Sequence, residues 1–103
     1  MPVSYKRLKA EVVAWVDDQT DLDITDGYDA KYNARTKLSK LGISEAYLAM
    51  SPPSFNKRMR KLVAPSTWQR VGALDLVAQS SIGDLVTLAC GQSQTPVPAG
   101  EPK

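Results

Sequence analysis

The chain contains no histidine and only one cysteine, Cys90. Without histidine the commonest proton shuttle and the commonest metal ligand are both missing, which excludes histidine-dependent catalysis and Cys/His zinc sites. A lone cysteine cannot close a disulfide within the chain, and with no imidazole to activate it Cys90 reads as packing at a helix end. No stretch approaches the roughly 20 consecutive apolar residues that a bilayer span needs, and Lys6, Arg7 and Lys9 are not followed by a signal-peptide core. A cytoplasmic location is expected. Glycine patterns of the Rossmann or phosphate-loop type are also missing, so no nucleotide cofactor is expected.

What remains is a chain of 103 residues, 43% of them hydrophobic, which suits one domain with a modest core among a few helices. That leaves no room for a separate catalytic domain. A binding protein is expected rather than an enzyme.

Net charge is only +2, but the charges are segregated along the chain. Residues 1–30 hold Lys6, Arg7 and Lys9 against Glu11, Asp17, Asp18, Asp21, Asp23, Asp26 and Asp29. Residues 31–70 reverse the balance, with Lys31, Arg35, Lys37, Lys40, Lys57, Arg58, Arg60, Lys61 and Arg70 against Glu45 alone. A basic stretch of this kind is the electrostatic footprint of a protein that meets an anionic polymer, although a solvated basic face has the same composition.

Hydrophobic spacing predicts helices. Leu8, Val12, Trp15 and Val16 form one stripe, capped by Ser4, for a helix over about residues 4–17. The Asp-, Thr- and Gly-rich residues 17–29 have neither helical nor strand period and read as an acidic loop. Ala34, Leu38 and Leu41, ending at Gly42, predict a helix over about residues 29–41. Ser44 caps a short helix through Met50. Ser51, followed by Pro52 and Pro53, starts another whose inward stripe is Phe55, Met59 and Leu62. Ser66 with Gln69 looks like a capping box for a helix through Val71, Leu74, Val77 and Ala78, and Ser81 with Asp84 starts a last one ending near Gly91. From Gln92 the Gln, Ser, Pro and Gly content predicts a disordered tail. The expected fold is all-α, a compact bundle of five or six short helices in a single domain over residues 1–91, with residues 92–103 as the tail.

A short helix, a tight turn and a second helix with a basic outer face are what a DNA major groove accepts, so residues 44–62 are expected to form a helix-turn-helix. Lys57 and Arg60 point away from the apolar stripe with Asn56 beside them, and these three are the candidates for base contacts. Ser51 and Ser54, near the helix start, suit a phosphate, and Arg58 and Lys61 are candidates for the flanking backbone.

The segments "YLAMSPPSFNKRMRKL" and "STWQRVGALDLVAQSSIGDLVTLA" resemble the lambda-repressor-like (Cro/repressor type) helix-turn-helix regulators, particularly short phage forms, over about residues 44–89. Leu48, Met50, Ser51 and Phe55 match the positions that hold the two helices of that family together. Ala49 stands where the family's turn usually has glycine, Glu45 where a small residue is usual, and Arg58 where an aliphatic one is. The resemblance implies a sequence-specific DNA-binding transcriptional regulator or repressor, phage or prophage encoded, acting on double-stranded DNA as a homodimer. It does not reach the acidic amino-terminal third.

Other features of the sequence admit rival readings. The series Asp21, Asp23, Thr25 begins like a calcium loop, but Asp26 stands where glycine is required and Tyr32 where a bidentate Glu is. Trp15 and Trp68 could stack on bases, yet each lies in or beside an apolar helical stripe and suits a core. Asp17 and Asp18 would diverge on a helix and make no acid/base dyad. The alternative function is a small protein-interaction module, an inhibitor or assembly component, whose acidic segment from Asp17 to Asp29 meets a protein partner as a nucleic-acid mimic.

Overall fold

A computed structural model describes residues 3–99. Six helices follow in order: α1 (Tyr5–Asp18), α2 (Ile24–Gly27), α3 (Glu45–Ala49), α4 (Pro52–Arg60), α5 (Ala73–Val77) and α6 (Ile82–Ser93), with a 3-10 turn at Leu38–Leu41. Among the described residues there is no strand, only the isolated bridges Tyr28 with Tyr32 and Lys37 with Ser81. The fold is all-α, and no helix among the described residues is long and apolar enough to cross a membrane.

Three helix starts lie where serine can satisfy free backbone donors. The hydroxyls of Ser4, Ser44 and Ser81 accept from the N–H groups of Arg7, Tyr47 and Asp84 at 3.3, 3.1 and 3.2 Å. Burial raises the Asp84 pKa, but hydrogen bonds from Ser80 and Ser81 together outweigh it and hold the carboxyl below its ordinary value. One apolar cluster joins Leu8, Val12, Trp15 and Val16 of α1 to Phe55 and Met59 of α4 and to Leu85, Val86 and Ala89 of α6. In this arrangement α1 packs on α6 and α4, while α3 packs on α5.

The acidic segment is not a plain loop. Asp17 lies in the last turn of α1 and its carboxylate accepts from the N–H groups of Ile24 and Thr25 at 2.7 and 3.2 Å, so it caps the one-turn α2 and holds Ile24 in the core. Between Asp29 and Leu41 the expected helix is replaced by turns. Asp29 adopts φ 69°, Asn33 Oδ1 accepts from Arg35 N–H, and Thr36 Oγ1 accepts from Asn33 N–H. Side chains that bond their own backbone in this way compete with a helix. Ala34, Leu38 and Leu41 are nevertheless buried, because the segment is tied across to the start of α6.

Ser66 and Gln69 do not start a helix. Thr67 and Trp68 donate to Ala64 O in a turn, and α5 begins only after Gly72, whose N–H donates to Asp75 at 2.8 Å.

The carboxyl-terminal end also departs from expectation. Helix α6 continues to Ser93, Gln69 N–H donates to Gln92 O at 2.8 Å, and Gln92 Nε2 returns a bond to Gln69 O at 2.9 Å. Ser93 and Thr95 are buried, their hydroxyls 2.8 Å apart, and Val97 packs on the core. The expected disorder therefore does not begin at Gln92, and its last residues, 100–103, lie outside the described residues. Polar composition misleads here because small hydroxyls can be buried once bonded to backbone. Truncation after Gly91 is expected to remove roughly 2 kcal/mol at about 1 kcal/mol per bond. For a chain of this size that lowers Tm by about 8 to 16 °C, read by thermal circular dichroism; an unchanged Tm would show that residues beyond Gly91 contribute nothing to the fold.

Candidate nucleic-acid interface

Helix α4 starts with Pro52 and Pro53 in its first two positions, where a missing N–H leaves no bond unmade. Lys57, Arg58 and Arg60 fall in its last turn, where positive charge meets the negative end of the helix dipole. Phe55 and Met59 are fully buried. The Phe55 ring meets Trp15 edge-on at 5.0 Å between centroids, and Trp68 lies 6.2 Å away on another side. These contacts fix the rotation of α4 and therefore decide which of its side chains face outward.

Lys57, Arg60 and Lys61 are exposed. With Pro53, Pro65 and Arg70 they border an open groove of about 480 Å³ beside the outer face of α4. None of these four cations forms an ion pair among the described residues. Ser54 is exposed as well, and its hydroxyl accepts from Trp15 Nε1 at 3.1 Å, which leaves its own proton for an outside acceptor.

Three of the expected contact residues have other roles. Asn56 is 4% exposed. Its Oδ1 accepts from Trp68 Nε1 and Val71 N–H, both at 2.9 Å, and its Nδ2 donates to Val71 O at 2.9 Å. The Asn56 amide is thus turned onto the segment from Trp68 to Val71, which covers that flank of α4, and its side chain serves packing rather than the outer face. Ser51 is also buried, and its hydroxyl donates to Tyr47 O at 2.7 Å, neither capping α4 nor facing a phosphate. Arg58 is turned back onto α1, where Nε pairs with Glu11 and Nη1 with Asp18. Hydrogen bonds to Asp18 and then Glu11 raise its pKa above the ordinary value, and its charge is matched within the fold.

Arg70 was missed among the expected contacts. It belongs to the basic stretch of residues 31–70, but no periodicity marks it, because it lies on an irregular segment whose position depends on Asn56 and on Gln92. Cys90 is buried among apolar side chains and burial raises its thiol pKa, so it packs as expected. Among the described residues no three His, Cys, Asp or Glu side chains gather to hold a metal. No family model, curated protein or solved structure matches the chain.

Proposed function

We propose that this protein is a sequence-specific regulator of phage type that binds double-stranded DNA through the outward face of α4, with α3 and α4 acting as a helix-turn-helix. The observation that carries this reading is the groove bordered by Lys57, Arg60, Lys61 and Arg70, whose charges no neighbouring acid matches among the described residues. A buried inner face holds α4 in place, and the outer face offers forked and point-charge donors to base edges and phosphates. Lys57 and Arg60 take the base-edge role, while Lys61, Arg70 and Ser54 take phosphates. A second reading, a protein-interaction module or a self-associating dimer, draws on Met50 and Leu74, apolar side chains that are 83% and 86% exposed.

Titration of labelled duplexes over a salt series separates the two. Arg60→Ala is expected to weaken binding to a selected site by about 1 to 3 kcal/mol and to relax preference at one base position. Lys61→Ala is expected to weaken all duplexes alike and to lower the slope of log K against log salt by about one. If wild type shows no salt-dependent affinity for any duplex, DNA binding is wrong and the interaction module takes its place.

A further inference from the structure

A second set of cations lies away from α4. Lys31, Arg35, Lys37 and Lys40 surround a groove of about 420 Å³ with Leu22 at its edge. The backbone beneath it is held firmly: Gly83 N–H donates to Ala34 O at 2.8 Å, Ile82 N–H to Thr36 O at 3.1 Å, and Leu38 N–H to Ser80 O at 2.9 Å. All three bonds attach this groove to the amino-terminal end of α6. The α4 groove is attached to the other end, through Gln69 and Gln92. Twelve residues of helix separate the two, about 18 Å at 1.5 Å per residue.

The acids flanking this stretch, Asp26, Asp29 and Glu45, form no ion pair with the cations of the second groove among the described residues. Asp84, on the first turn of α6, is engaged by Ser80 and Ser81. Asp21 and Asp23 flank Leu22, yet none of the four cations forms an ion pair among the described residues. Lys31 Nζ stands 5.6 Å over the Tyr32 ring. We infer that this groove is a second phosphate-binding site, which grips the sugar-phosphate backbone of the same duplex that α4 contacts; the inference rests on the DNA-binding reading above. The molecule measures 34 Å along its longest axis. A single turn of duplex, about 34 to 36 Å, is therefore long enough to run past both sites.

The test compares two double variants of equal charge change, Arg35→Gln with Lys40→Gln in the groove and Lys6→Gln with Arg7→Gln on α1. Each is titrated beside wild type and Lys61→Ala against a duplex of about two turns, roughly 20 base pairs, across a salt series. Loss of two phosphate contacts is expected to lower the salt slope by about two for the groove variant, with the α1 variant near wild type. If the groove variant keeps the wild-type slope, or both doubles lower it equally, the second site is overturned while a reduced slope for Lys61→Ala keeps the α4 reading intact. Wild type without salt-dependent binding overturns both. Circular dichroism checks folding, and Lys40→Gln alone, expected to lower the slope by about one, decides the matter should the double fail to fold.

Discussion

Phe55→Ala is expected to leave the protein largely unfolded near its present melting temperature. The ring is fully buried and touches Trp15 and Trp68, which come from helix α1 and from the segment beyond α4. Its loss therefore opens a cavity where three parts of the chain meet. Truncation of a buried Phe costs about 3 to 5 kcal/mol, and aromatic pairing adds about 0.5 to 1.5 kcal/mol per pair. Small domains have total stabilities of about 5 to 15 kcal/mol, so the loss takes a large share. The corresponding fall in Tm is on the order of 15 °C or more, measured by thermal circular dichroism. A variant melting within a few degrees of wild type would mean that the inward face of α4 has been misassigned.

Asn56→Leu is expected to be nearly as damaging, for a different reason. Leucine has a similar volume but neither donor nor acceptor, so Trp68 Nε1–H, Val71 N–H and Val71 C=O would lose their partners together. Each buried polar group left unpaired costs about 1 to 3 kcal/mol, which places the total at about 3 kcal/mol or above. Chemical denaturation of the variant reads this directly. A base-reading asparagine would give the opposite pattern, unchanged stability with altered preference for one base. That result would remove Asn56 from the interior and return it to the DNA-facing surface.

Much of the fold was legible in the sequence. Helices α1, α3, α4 and α6 begin beside their expected serines, and the stripes Leu8, Val12, Trp15, Val16 and Phe55, Met59 are buried. These features are local, with a cap and a helical period each contained within a few residues. Several of the failures are non-local. Ala34, Leu38 and Leu41 repeat at helical spacing, but their burial comes from an irregular segment bonded to residues 80–83. Nothing near Asn56 announces the partner 15 residues away at Val71. Arg58 sits among outward-facing lysines and arginines, and only its distance from α1 decides that it turns inward. Charge segregation located the basic half of the molecule without separating cations paired inside the fold from those that are not.

The attachment of α1 has a consequence for the order of folding. Its bonds to Ser54 and Arg58 span 39 to 47 residues, and its packing partner α6 begins at Ile82. Contacts this distant in sequence require the intervening chain to close first, which slows their formation. During synthesis α1 packs on α2 alone until α4 and then α6, which follow it in the chain, have been made. Substitutions along α1 are therefore expected to raise the unfolding rate more than they lower the folding rate, read from the two limbs of a denaturant chevron, and equal effects on both limbs would show that α1 docks before the transition state.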